Sequence, residues 1–131
     1  MKLIRENVKD YKITKAKDVY NFLKEFEDED REHFIVLGLS TNNKVLYREV
    51  TNIGILNASI LHPREIFKKA IIMSCNSIII AHNHPSGNPK PSNEDNDIFR
   101  RLTEAGQILD IKVIDNIIIG KNKFWSNIED G

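Results

Sequence analysis

The chain has 131 residues, 40% hydrophobic and 29% charged, a balance that excludes a disordered tract and fits one compact domain. Lysine plus arginine and aspartate plus glutamate number 19 each, and the resulting zero net charge counts against a dedicated nucleic-acid coat, though not against a local basic patch. A single cysteine, Cys75, excludes an intrachain disulfide and any all-cysteine zinc site, and it reads as a small buried side chain.

The opening, MKLIRENVKDYK, alternates charge with single apolar residues and shows no signal-peptide core. The apolar runs, 77–81 and 117–119 among them, are too short to cross a bilayer, so the expectation is a soluble, cytoplasmic protein with no membrane partner. Val19, Phe22, Leu23 and Phe26 recur at helical spacing and predict an amphipathic helix over about 16–27. The acidic run Glu27-Asp28-Glu29-Asp30 that ends it reads as a solvated loop. Residues 34–39 predict a strand, 41–44 a turn and 45–51 a second strand, which together make a hairpin.

Residues 52–61 read as irregular or short-strand sequence and contain Gly54, and His62-Pro63-Arg64-Glu65 opens a helix with proline in its first turn. Residues 77–82 are apolar on both faces, as a central strand covered on both sides requires. Between Asn83 and Pro91 lie three of the four prolines and Gly87, which predicts a rigid loop. A helix follows from Ser92 to about Leu109, then a strand over 112–119 and a last short one over 123–126. The order α-β-β-α-β-α-β predicts an α/β fold, a mixed β-sheet flanked by helices.

The chemistry is concentrated at the end of the central strand. Side chains alternate along a strand, so His82 and His84 project the same way at its carboxyl end, where open α/β sheets place their ligands. The stiff loop then leads to a helix whose first turn carries Asp95. Two imidazoles and one carboxylate are three ligands for a divalent metal, with a fourth position left for water. Ser92-Asn93-Glu94-Asp95 also reads as a capped helix N-terminus, and that reading does not compete with ligation by Asp95. Taken alone, the spacing leaves a metal site and a polar strand end both open.

His82-x-His84-Pro85, followed by Ser92-x-x-Asp95, resembles the JAMM (MPN+) metalloprotease motif. The fuller strings HPREIFKKA at 62–70, AHNHPSGNPKPSNED at 81–95 and LDIKVIDNIIIG at 109–120 are similar to the RadC-like branch of that family, with similarity from about Tyr20 onward. This resemblance implies an α/β/α sandwich related to the cytidine-deaminase fold, spanning residues 1–131 as one domain. It implies one zinc ion per chain, held by His82, His84 and Asp95, and a glutamate on an earlier strand as general base, for which the matching position is Glu49. Glu49 is expected on the same strand face as Val45 and Tyr47. Ser92 would donate a hydrogen bond to the developing oxyanion while also capping its helix.

Two departures from the family stand out. Longer RadC-like chains begin with a helix-hairpin-helix-like region, and with the first strand predicted by residue 34 the expectation is that this region is absent here. The family's Asp-His pair before the last apolar strand reads here as Asp115-Asn116.

Three functions compete. The intact set Glu49, His82, His84, Ser92 and Asp95 favours a zinc-dependent peptidase or isopeptidase acting on a peptide or protein substrate. A DNA-repair accessory role rests only on the label attached to RadC-like proteins; the neutral charge argues against it, and a small basic face from Lys68, Lys69, Arg100 and Arg101 reads as solvated helix pairs. A non-catalytic scaffold predicts lost ligands, and all are retained. A nucleobase deaminase needs a Pro-Cys-x-x-Cys string, which one cysteine cannot supply. Nothing in the sequence identifies the substrate or the oligomeric state.

Overall fold

A mixed five-stranded sheet forms the centre of the protein, seen in a computed structural model that describes residues 11–131. Most of the opening stretch read for a signal peptide, residues 1–10, lies outside the described residues. Helix α1 (Ala16–Phe22) starts where Asp18, its third residue, folds back to accept hydrogen bonds from the Thr14 and Lys15 amides at 2.8 and 3.1 Å, the N3 half of a capping box. The expected helix over 16–27 is not continuous: it breaks at the fully buried Leu23 and tightens into a 3₁₀ turn, Lys24–Asp28. The tighter winding sends Phe26 and Glu27 inward together. Glu27 is therefore a buried acceptor for the Tyr20 hydroxyl and the Asn122 amide, not part of a solvated loop.

Strands β1 (His33–Leu39) and β2 (Val45–Ile53) form the expected hairpin, closed by Asn43 in the left-handed region at φ 62°. After helix α2 (Pro63–Ile72) comes β3 (Ser77–Asn83), fully buried along its length as its apolar run requires. Helix α3 (Asn93–Leu109) crosses to β4 (Lys112–Ile119), parallel to β3, and β5 (Phe124–Ser126) returns antiparallel. A four-residue helix, α4 (Asn127–Asp130), is an element the sequence pattern did not predict. The sheet order is β2-β1-β3-β4-β5, antiparallel except for the β3–β4 pair.

Alternation along the strands supplies two separate cores. Ile35, Leu37, Ile79, Ala81 and Ile117 pack under α1 and Phe26, whereas Phe34, Val36, Ile78 and Ile80 pack under α2 and α3. The β1–β2 register slips between Gly38 and Leu39, because Leu39 pairs with Val45 but Gly38 pairs with Tyr47. Leu46 is the extra residue of this bulge, and it throws Val45 into the α1 core and Tyr47 into the opposite one. Glu49, opposite Val36, thus shares a face with Tyr47 but not with Val45.

Candidate metal centre

His82 projects from the last full turn of the β3 ladder, between Phe34 of β1 and Ile118 of β4, on the face covered by α2 and α3. Its ring stacks on Phe34 at 6.2 Å and 13°. One residue past the strand, the His84 amide still bonds to the Ile119 carbonyl at 2.9 Å, so the second imidazole is held as firmly as a strand residue. Gly87, at φ 88°, then reverses the chain by bonding its amide to the His84 carbonyl, and the Lys121 amide pins the Gly87 carbonyl. This turn brings the Asn88 carbonyl to 2.9 Å from His84 Nδ1. A carbonyl only accepts, so Nδ1 carries the hydrogen and Nε2 is the atom presented to the site.

Asp95 is the third residue of α3 and closes a capping box with Ser92. The Ser92 Oγ accepts from the Asp95 amide at 3.1 Å, and Asp95 Oδ2 accepts from the Ser92 amide at 2.8 Å. The same carboxylate faces both histidines, Oδ1 at 3.0 Å from His82 Nε2 and Oδ2 at 3.0 Å from His84 Nε2. The two Nε2 atoms lie 3.2 Å apart. Ligands at the usual zinc–nitrogen distance and tetrahedral angle are separated by about 3.3 Å, so the three side chains fit a metal of that size and preference.

The contacts between the imidazoles and the carboxylate shift the titration of both partners. Burial alone would raise the Asp95 carboxyl, but hydrogen bonds from His82 and His84 hold it well below the usual carboxylate range. Burial opposes protonation of His84, and the Asp95 carboxylate and Asn88 carbonyl outweigh it, so this imidazole titrates above its ordinary value. His82 Nδ1 is buried with no partner among the described residues.

A carboxylate that the sequence reading missed completes the cluster. Glu32, just before β1, places an oxygen within 4.8 Å of the His82 and His84 ligand nitrogens, and it is half-buried. Away from these four residues, no group of three or more potential ligands forms among the described residues. Glu49 is not brought to the histidines. It sits on β2, two strands from β3, and each strand step is about 4.8 Å. The antiparallel pairing of Phe34 with His82 is what sets residue 32 beside residues 82–84, a neighbour relation with no local trace in the sequence.

The remaining conspicuous residues are accounted for locally. His62 precedes α2 without a side-chain cap bond, and His33 bonds the Arg31 carbonyl. Trp125 is half-buried on β5. Asn116 is buried on β4 opposite Ile80, which puts it on the His82 face, and its Oδ1 has no partner among the described residues.

Residues 13–131 match the sequence profile of the RadC-like JAB domain. The chain belongs to this family. A UPF0758 protein of Desulforamulus reducens is 56% identical over 104 residues, covering 79% of this chain and 46% of that protein. Another, of Caldanaerobacter subterraneus subsp. tengcongensis, is 49% identical over 122 residues, covering 92% and 52% respectively. A third, of Methanosarcina mazei, is 46% identical over 121 residues, covering 92% and 53%. The chain thus spans about half the length of the relatives it matches. The mixed sheet with helices on both faces is the fold expected for a RadC-like JAB domain. Among the described residues, no helix is long and apolar enough to cross a membrane.

Proposed function

We propose that this RadC-like JAB domain is a metal-dependent hydrolase of peptide or isopeptide bonds, with one zinc ion held by His82, His84 and Asp95. The observation that carries the reading is the meeting of two Nε2 atoms 3.2 Å apart with both oxygens of one carboxylate, with the Glu32 carboxylate beside the imidazoles. Zinc bound there supplies a Lewis acid for the scissile carbonyl and lowers the pKa of water to about 7.

The chain's own groups divide the remaining work. Glu32 takes the general-base role that the family resemblance assigned to Glu49: it receives the proton of the attacking water and passes it to the leaving amine. The Ser92 Oγ accepts from the Asp95 amide through a lone pair, which leaves its hydroxyl hydrogen free to donate to the oxyanion. Ser92 is exposed and His84 is partly so, which gives a substrate access to that side of the cluster.

Metal content by elemental mass spectrometry on untagged protein tests this reading. One zinc per chain is expected in the wild type and none in the His84→Ala/Asp95→Ala variant. Full-strength zinc in that variant would mean the site is elsewhere, and none in either after adding zinc back would leave a scaffold. No observation favours nucleic acid. Lys69 lies 5.4 Å over the Tyr47 ring, Arg100 pairs with Asp97 and Arg101 bonds the Ala58 carbonyl, so three of the four cations named for a basic face are engaged locally.

A further inference from the structure

Asn83 stands between the two histidines in sequence, is fully buried, and spends its whole side-chain amide on the backbone around Glu32. Its Oδ1 accepts from the His33 amide at 2.7 Å, and its Nδ2 donates to the Arg31 carbonyl at 3.0 Å. The backbone ladder between β1 and β3 ends at Phe34 and His82, so this side chain continues the lateral attachment past the last strand pair. On the far side, the Gly54 amide donates to the Glu32 carbonyl at 2.8 Å. The peptide groups flanking Glu32 are therefore held on both edges, while its carboxylate is left free to face the imidazoles.

We infer that Asn83 is a positioning residue for Glu32. Only asparagine or glutamine offers a donor and an acceptor in one planar amide, and glutamine is a methylene too long for the same span. Strand alternation places the Asn83 Cβ on the side of the sheet opposite His82 and His84, so it reaches the 31–33 segment without entering the ligand cluster. Its effect on the site passes through Glu32. A base must be held to a fraction of an ångström, and a strand-end residue without this clamp would fray.

The inference rests on the hydrolase reading for the use made of Glu32, but the clamp can be read without any metal. In metal-free protein, amide hydrogen exchange at His33 is expected to speed up at least tenfold in Asn83→Ala, with Ile35 and Leu37 unchanged. Zinc affinity gives the second readout: Asn83→Ala and Glu32→Gln are each expected to weaken binding about tenfold, and the double variant no more than Glu32→Gln alone. An additive loss in the double variant, or unchanged exchange at His33, would overturn the inference. If the alanine variant does not fold, Asn83→Leu, close in volume and lacking both the donor and the acceptor, is read in its place by the same exchange and zinc criteria. Should the wild type take up no zinc, the hydrolase reading fails and the exchange result alone decides for or against Asn83.

Discussion

His84 and Asp95 meet at 3.0 Å although one leaves the end of a buried strand and the other opens a helix eleven residues later. The proline-rich loop between them is pinned at Gly87 and Asn88, so the approach is built into the backbone and does not wait for a ligand. The consequence is a carboxylate that bonds two imidazoles and caps its own helix at once.

That shared carboxylate sets the pH response of the metal-free protein. Asp95 titrates below its ordinary value of 3.8, so its stabilisation is complete above 3.8 and is lost as pH falls through the lowered value. His84 titrates above its ordinary 6.5, so its stabilisation is complete below 6.5 and is lost as pH rises through the raised value. The stability difference between wild type and Asp95→Asn, followed by urea unfolding across pH, is expected to be largest between 3.8 and 6.5. A difference that grows steadily above pH 7 would contradict this.

Zinc binding is expected to compete with the proton on His84. Affinity should be level above the raised imidazole value and fall by about tenfold per pH unit below it, one proton being released per zinc bound. Calorimetric titration in buffers of different ionisation heat counts that proton.

Glu32 and Glu49 are separable by substitution. Glu32→Gln is expected to retain one zinc per chain at saturating metal and to lower hydrolysis of a cleavable peptide or isopeptide at least about 100-fold. Glu49→Gln, two strands away, is expected to leave both within a factor of about two. The reverse pattern would return the base to β2.

The two duties of Ser92 come apart in a pair of variants. Ser92→Ala should cost about 1 kcal/mol of unfolding free energy through the lost cap, whereas Ser92→Gly should cost only a few tenths. Both remove the hydroxyl, so both should lower hydrolysis by about 10²–10³ if it donates to the oxyanion. Equal activity in wild type and Ser92→Gly would leave the residue as a cap alone.

Gly38 tests the bulge. A Cβ there would collide with the Tyr47 ring and the Cys75 sulfur, both buried in the core beneath α2 and α3. Gly38→Ala is expected to destabilise the protein by about 1–3 kcal/mol in thermal or denaturant unfolding, with zinc stoichiometry unchanged.

What was legible in the amino-acid sequence was what local periodicity and turn chemistry encode. The buried strand 77–83, the hairpin, the proline loop and the capped helix opening at Ser92 all lie within a residue or two of expectation. His82, His84 and Asp95 were legible together because a strand end, a stiff loop and a helix start are consecutive in the chain. Two local patterns misled. The 16–27 periodicity concealed the 3₁₀ turn that buries Glu27, since an acidic run looks solvated until its hydroxyl and amide partners, Tyr20 and Asn122, are in place. Strict alternation along β2 put Val45 and Glu49 on one face, because a one-residue bulge leaves no mark on composition.

The sequence by itself determined the fold class, through the order of its elements, and the meeting of His82, His84 and Asp95, which lie within about fifteen residues of one another. Only the tertiary structure decided which glutamate joins the histidines. Strand neighbours are chosen by the packing of two cores and the order of the sheet, and β1, with Glu32 at its head, is the strand that pairs with β3. The choice of Glu32 over Glu49, and the Asn83 clamp that holds it, are both consequences of that pairing.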